Sequence, residues 1–450
     1  MRLGLKTVMV VVLTLAILVP LLMIRGTIQE RAAYRDQAVA DVAANFGGAQ
    51  VFAGPVLVVP YVETLQEEVA GGDGFTRSVT RKVQGQWAFF PTTLSVDGTL
   101  VPDTRRRGLH QVRVYEWNGR SEATFDVIIP ADAEGVQRSL GTPRLGYGIA
   151  DVGGLRGTPV ITVDGKPLKA RQGYGEEGVS GVHVQLAAPV AGSRLRLTAT
   201  MAMHLRGTEQ FSIVPLGETN DLRVRSRWPH PKFTGTSPQH EVDGNGFRAR
   251  WQVASVASDA RAGYLVALAG ARTRSVGDNM AASASALAGD AVGVSLIDPV
   301  NPYVQADRAT KYGLLFVALT FVGFFMFELV KRVPVHPIQY LLVGLAIALF
   351  FLLLVSLSEH IAFGLAYLLA ACACIGLIGF YLAAVLRSTA RGLGFAAMLA
   401  TLYATLYGLL LSEDNALVLG AGLLFVILAA IMVATRKVDW YRVSVGDARG

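Results

Sequence analysis

Six apolar runs in this sequence are each long enough to cross a bilayer as a helix, and they constrain everything else the chain does. They occupy residues 8–24, 313–330, 340–357, 362–386, 393–411 and 416–435. At about 1.5 Å of rise per residue, about 17 to 25 residues cover roughly 30 Å of hydrocarbon. Pro20 interrupts the first run, and Glu328, near the end of the second, is the one full charge inside any of them. Backbone N–H and C=O groups in hydrocarbon must be satisfied within the segment, so such runs are helical. Of the 450 residues 52% are hydrophobic and only 17% charged, against roughly 25% charged in a soluble domain. A disordered chain is excluded by that composition, and a collagen-like one by the lack of a Gly-X-Y period.

Lys and Arg in the short connections set the expected orientation. Arg2 and Lys6 precede the first run, Lys331 and Arg332 follow the second, Arg387 and Arg391 join the fourth to the fifth, and Arg436 and Lys437 follow the sixth. The connections 358–361 and 412–415 carry neither residue. All the basic clusters share one side if both termini are cytoplasmic, which puts the long segment between the first two runs outside. The flank at 25–31 has no Ala-x-Ala-like cleavage site, so the first run reads as an uncleaved anchor. The expected divisions are 1–26 for the N-terminus and anchor, 27–312 for an extracytoplasmic domain, 313–436 for a five-helix bundle and 437–450 for a cytoplasmic tail. The net charge of +7 follows from this topology, and no nucleic-acid partner is expected. The lipid bilayer is the implied partner; oligomeric state is left open.

The outer segment has a different texture. Thr27-x-x-Glu30 has the form of a capping box, and an apolar stripe continues from it, predicting a helix to about Ala44. From residue 50 to 297, short alternating or β-branched runs are bounded by Gly, Pro, Asp and Asn, as in Arg194-Leu195-Arg196-Leu197-Thr198 and Arg223-Val224-Arg225-Ser226-Arg227. Asp97-Gly98 and Asp164-Gly165 read as hairpin turns. The fold class expected is therefore six transmembrane helices with a large all-β or β-rich, sandwich-like extracytoplasmic domain. Residues 261–289, rich in Ala, Gly and Ser, fit either a loop or small-residue packing. This domain has no cysteine. Cys372 and Cys374 lie two apart in an apolar run, where with Gly376 and Gly379 they suit close helix packing.

No nucleophile elbow, phosphate loop, dinucleotide fingerprint or His-Glu-x-x-His occurs, and the seven histidines show no ligand spacing. No catalytic, metal or cofactor residue is assigned, and no cofactor is expected. Arg105-Arg106-Arg107 reads as a solvated turn more readily than as a contact for anionic headgroups or glycan, being short of the four to eight charges of lipid recognition. In Trp228-Pro229-His230-Pro231-Lys232-Phe233 two prolines fix the chain beside stacking side chains. A structural corner is the first reading of it, and a contact through Trp228 and His230 the second. Glu328 precedes Lys331 by three residues and Arg332 by four, a helical pairing distance, with a proton-relay role as the sharper alternative. On the outer side, Asp307, Arg308 and Lys311 enter the second run, Glu359 and His360 leave the third, and Glu413 and Asp414 follow the fifth. These charges form either a docking ring or interface anchors, and Arg308 or Lys311 is expected to approach Glu359.

The chain also resembles the CreD family of bacterial inner-membrane proteins. The resemblance is carried by Ile24-Arg25, Glu30-Arg31-Ala32-Ala33-Tyr34-Arg35, Gly54-Pro55, Ser212-Ile213-Val214-Pro215, Trp228-Pro229-His230-Pro231 and Gly246-Phe247. It continues in Asp307-Arg308-Ala309-Thr310-Lys311-Tyr312, Leu319-Thr320-Phe321, Phe327-Glu328, His336-Pro337, Gln339-Tyr340-Leu341-Leu342-Val343-Gly344, Ser356-Leu357-Ser358-Glu359-His360 and Asp439-Trp440-Tyr441. The resemblance implies an inner-membrane protein in a two-component regulon, whose perturbation alters envelope properties such as tolerance to certain colicins and responses to β-lactams. It implies no reaction. The expected function is thus non-enzymatic support of cell-envelope integrity and stress response, with the external domain contacting an envelope protein or glycan. A transporter or flippase for an envelope lipid or glycan, and an envelope-modifying enzyme, are the alternatives.

Overall fold

Each apolar run becomes helical in the computed structural model, which describes residues 3–70, 76–132, 136–174, 180–273, 290–296, 302–331, 335–411 and 416–435. Arg2, Arg332, Glu413, Asp414, Arg436, Lys437, the tail and residues 274–289 of the Ala/Gly/Ser stretch lie outside the described residues. The helices are α1 (Leu3–Phe46), α2 (Ala260–Thr273), α3 (Pro302–Lys311), α4 (Gly313–Lys331), α5 (Pro337–Ser358), α6 (Phe363–Val385), α7 (Thr389–Leu411) and α8 (Ala416–Thr435). Among the described residues α1, α5, α6 and α7 are long and apolar enough to cross a membrane. The start of α4 joins α3 at a 45° bend, and the pair makes a fifth if counted as one span.

The chain divides into two compact units, Asp36–Pro299 and the remainder, Met1–Arg35 with Val300–Gly450. In the helical unit, Ile17, Leu21, Ile24 and Ile28 of α1 join Phe316, Phe321 and Phe324 of α4 and Ile347, Phe350 and Phe351 of α5 in one buried cluster. Small residues let the helices approach. A Cβ at Gly379 would stand 3.1 Å from that of Ala396, whereas Gly376 faces open space. Cys374 is buried and Cys372 exposed, so only one member of each expected pair packs.

The β unit consists of two sheets. Among the described residues the first runs β14 (Lys232–Thr234), β17 (Val292–Ser295), β12 (Gln210–Val214), β1 (Gln50–Ala70), β6 (Arg144–Ile149), β10 (Gly181–Gln185), β9 (Arg171–Gln172), with β2 (Thr76–Phe89) and β5 (Val136–Leu140) also on β1. The second runs β15 (Gln239–Asp243), β16 (Gly246–Ala254), β13 (Thr219–Ser226), β3 (Thr93–Arg107), β4 (His110–Ile128), β11 (Arg194–Thr208), β7 (Val160–Val163), β8 (Lys166–Leu168). Their facing sides share a core that includes Phe52, Val96, Trp117, Phe125, Met201, Phe211, Leu222 and Trp251. Residues 51–59 of β1 are buried throughout because the strand is covered on both faces. Phe52, Leu57 and Val59 face the inter-sheet core, while Val51, Ala53, Val56 and Val58 pack with Tyr174, Leu216 and, from α2, Ala260 and Tyr264. A strand covered on both faces reads as a continuous apolar run, not an alternating one. The described part of the Ala/Gly/Ser stretch is thus neither loop nor plain filler but a helix closing the back of the first sheet.

Two sequence expectations give way here. Thr27 does not cap a helix; α1 runs through it, and its Oγ1 donates to the Met23 carbonyl at 3.2 Å. Extending an existing helix adds one hydrogen bond per residue, whereas a new one needs a fresh nucleus. Asp97-Gly98 is not a turn but lies inside β3, with Gly98 paired across to Gly119 of β4. The physical reason is Trp117. Its indole is fully buried, stacks on Phe211 at 4.4 Å between centroids, and lies over both glycines, so that a Cβ at either would run into the ring. Asp164-Gly165 does form the β7–β8 turn, with φ of 49° and 75°, the double positive value of a tight hairpin.

Gly98→Ala should therefore destabilise the protein by about 1–3 kcal/mol through overpacking. Gly244→Ala, with nothing within 4 Å of the added methyl, should change stability by less than about 1 kcal/mol. Thermal melting of the full chain in detergent compares them, and equal midpoints would contradict the seating of Trp117.

Candidate functional site

In the helical unit, charges predicted to share one side converge on a collar built from α1, α3 and the end of α5. Asp307 on α3 pairs with Arg25 of α1 at 3.2 Å and with Lys311, one turn along its own helix, at 2.8 Å. Glu359, the C-cap of α5, accepts from the Tyr303 hydroxyl at 3.1 Å and lies 3.9 Å from Arg31 of α1. Its side chain is 9% exposed against 46% for that of Arg31. Each of the two carboxylates therefore pairs with an arginine of α1 that the sequence did not single out. Arg31 and Tyr303 stand against Glu359, while Lys311, one of the two cations anticipated there, pairs with Asp307. Tyr303, Asp307 and Lys311 follow at intervals of four on α3, so Lys311 folds back onto Asp307 and Tyr303 reaches the α5 end. Arg308 is half-buried on the same helix. His360 is exposed, its Nδ1 3.1 Å from the Ser356 carbonyl, closing the end of α5.

Glu328 is buried near the end of α4, where Oε2 accepts from the Tyr340 hydroxyl at 3.0 Å and Oε1 from the Val335 N–H at 3.3 Å. Both donors belong to the start of α5 and the residues just before it, so the carboxylate fastens the α4–α5 connection. His336 caps α5 next to this point, reciprocally with Gln339. The sequence also gave no hint of a polar chain in the bundle. There the Tyr403 hydroxyl donates to Cys374 Sγ at 3.1 Å, Cys374 Sγ donates to the Ala346 carbonyl at 3.3 Å, and the Tyr367 hydroxyl donates to the Tyr403 carbonyl at 2.7 Å.

In the β unit, Trp228 is a buried member of the inter-sheet core. Its Nε1 donates to the His230 carbonyl at 2.8 Å, and the Arg113 guanidinium covers its ring at 4.4 Å. Phe233 packs edge-on against Phe247 and Trp251. This is the structural corner, and the exposed side chains of His230 and Lys232 are the parts of it that face solvent. Arg105-Arg106-Arg107 ends β3 at the hairpin, with Arg107 3.5 Å from Asp41 and Arg105 over the Phe46 ring. Of the other histidines, His204 bonds to Asn118 and His183 to the Gly173 carbonyl.

The outward side of the second sheet carries carboxylates that each serve two arginines. Asp221 holds Arg250 and Arg223, Asp126 holds Arg194 and Arg196, and Glu116 holds Arg206 and Arg156. Hydrogen bonds from Arg250 first, then Arg223, keep Asp221 below the ordinary carboxylate range although burial opposes them. Glu116 is lowered in the same way, first by Arg206. The alternation of Arg223 and Arg225 was visible in the sequence; the strand that lies beside them was not.

These features define a multi-pass α-helical membrane protein carrying a large two-sheet β unit. A family model described as "Inner membrane protein CreD" matches residues 2–441. The chain is 35% identical over 436 residues to the "Inner membrane protein CreD" of Escherichia coli (strain K12), covering 96% of this chain and 92% of that protein. It belongs to the CreD family of inner-membrane proteins.

Arg31→Gln should cost about 1–3 kcal/mol, because it removes a cation from beside a nearly buried Glu359. Glu359→Gln keeps an acceptor for Tyr303 and should cost about 1 kcal/mol or less. The double variant should melt no lower than Arg31→Gln alone, as expected for a coupled pair. Additive losses in detergent melting would show that the two residues act separately.

Proposed function

We propose that the protein is a non-enzymatic inner-membrane scaffold with six spans and both termini in the cytoplasm, whose β unit stands in the periplasm and contacts an envelope component. In this reading it supports envelope integrity under stress. The observation that carries it is the outward side of the second sheet. Along β3, β4, β11, β13 and β16 it presents guanidinium–carboxylate clusters and shallow grooves, one of them lined by Thr92, Thr124, Asp126, Asp164, Arg196 and Thr198. That is a surface suited to recognising polar, hydrogen-bonding material. The distribution of Lys and Arg in the short connections supports the orientation, and the two arginines that would lie at the outer end, Arg25 and Arg31, are each matched by a carboxylate, Asp307 and Glu359.

A transport role draws less support. The buried acid Glu328 uses both its oxygens to close the α4–α5 connection. The polar chain through Tyr367, Tyr403 and Cys374 is spent on helix-to-helix hydrogen bonds. Both are means of holding a bundle together.

A photo-crosslinking residue placed at Ala202, exposed on β11, tests the reading in living cells. Capture of periplasmic protein or envelope glycan, identified by mass spectrometry and absent for a probe at lipid-facing Leu368, is the expected result. Capture confined to cytoplasmic proteins, or none above that control, would overturn it.

A further inference from the structure

Four arginines form a block on the second sheet that the sheet itself does not favour. In the antiparallel pairing of β13 with β16, Arg223 lies directly opposite Arg250 and Arg225 directly opposite Arg248. All four point away from the core, since the intervening Val224, Ala249 and Trp251 are buried. Like charges directly opposite across two strands destabilise a sheet, and here two such pairs sit side by side. The carboxylates nearby only partly offset them. Asp221 takes Arg223 and Arg250, and Asp97 takes Arg225. Arg248 has Glu241 at 3.7 Å, with the side chains 77% and 82% exposed, a pairing in open solvent that contributes little. Four guanidinium groups thus face three carboxylates, an excess of one positive charge.

The block lines a groove of about 500 Å³ together with Asp97, Gln239, His240, Glu241 and Ala249. That volume falls in the range of small-ligand sites, roughly 300–1,000 Å³. Every charged donor in it is Arg, whose planar fork presents N–H groups in pairs matched to phosphate oxygens, which Lys does not. Gln239 and Glu241, which the register sets opposite Arg250 and Arg248 on the same face, add side chains able to hydrogen-bond hydroxyls. Ala249 is the one aliphatic residue in the lining, so the groove offers nothing to an acyl chain.

We infer that this groove binds the phosphate group of a phosphorylated sugar, with the opposed pairs Arg223/Arg250 and Arg225/Arg248 as its anion cradle. The inference rests on the reading of the β unit as the part that contacts the envelope and names the chemistry of that contact. A phosphate dianion between the two pairs replaces guanidinium–guanidinium repulsion with charge-assisted hydrogen bonds. The acidic residues then orient the arginines, and the sugar hydroxyls face Gln239 and Glu241. On this account the repulsion present without ligand is relieved by binding.

The test uses the full chain in nanodiscs of zwitterionic lipid, titrated calorimetrically with a bisphosphorylated glucosamine disaccharide. Its unphosphorylated form, inorganic phosphate, and vesicles containing anionic phospholipid are titrated in parallel. Saturable binding of the bisphosphate is expected, with the unphosphorylated sugar at least tenfold weaker. Arg225→Gln with Arg248→Gln should weaken it tenfold or more, Arg248→Lys should weaken it less, and Arg171→Gln, exposed on β9 of the first sheet, should leave it unchanged. The double variant should also melt no lower than the parent, because it removes an opposed like-charge pair. Binding indifferent to that double variant, a double variant that melts markedly lower, or Arg-dependent binding of anionic vesicles without binding of the phosphosugar would each overturn the inference. Binding in nanodiscs does not depend on which side of the membrane the groove occupies. Phosphosugar binding combined with failed capture in cells therefore faults the functional reading, whereas capture with no phosphate dependence faults the groove.

Discussion

The buried amide of Gln50 joins the parts of the β unit that meet where α1 ends. Its Nε2 donates to the carbonyls of Asp151 and Arg206, and its Oε1 accepts from the Asp151 N–H. The Asp151 carboxylate in turn accepts from the N–H groups of Gly48 and Gly153, and Thr208 Oγ1 donates to the Gly47 carbonyl. Gly47 ends the helix at φ 116°, packed so tightly against Arg206 that a Cβ would collide with its backbone. In three residues the chain therefore leaves a 44-residue helix and becomes β1, the strand on which β2, β5, β6 and β12 pair. An unsatisfied polar group at this depth would cost about 1–3 kcal/mol. The network leaves none of Gln50's amide groups without a partner.

With no cysteine in the β unit, its cohesion comes from packing and hydrogen bonds, not from disulfides. Trp117 shows how. It occupies space cleared by two glycines on adjacent strands, and its loss would cost about 3–5 kcal/mol on the scale of large-to-small core substitutions. The helical unit solves a different problem, since lipid gives no hydrophobic drive for helices to associate. Small residues, the Glu328–Tyr340 bond and the Tyr403–Cys374–Ala346 chain supply contacts that lipid cannot replace.

What could be read from the sequence follows the range of the interaction concerned. Apolar runs are local, and all six became helices. The Asp164-Gly165 turn and the Trp228 corner are local too, and both stood. Asp97-Gly98 has the local form of a turn, but a tryptophan twenty residues away decides its role. Thr27 has the local form of a cap, but the helix arriving from the membrane passes through it. The Arg31–Glu359 contact joins residues more than three hundred apart. Charge alone marked Glu359 as a residue of interest, and only the fold supplied Arg31 and Tyr303. The arginine block fell between these cases: each strand's alternation was legible, and the register that sets Arg223 opposite Arg250 was not.

The account depends above all on the β unit and the α6–α7 connection lying on opposite sides of the membrane. A thiol reagent that cannot cross the inner membrane tests this in intact cells, with a single cysteine introduced at Gly244 in the exposed β15–β16 turn or at Ser388 between α6 and α7. Labelling of Gly244→Cys without labelling of Ser388→Cys is the predicted result. Labelling of Ser388→Cys alone would contradict the account.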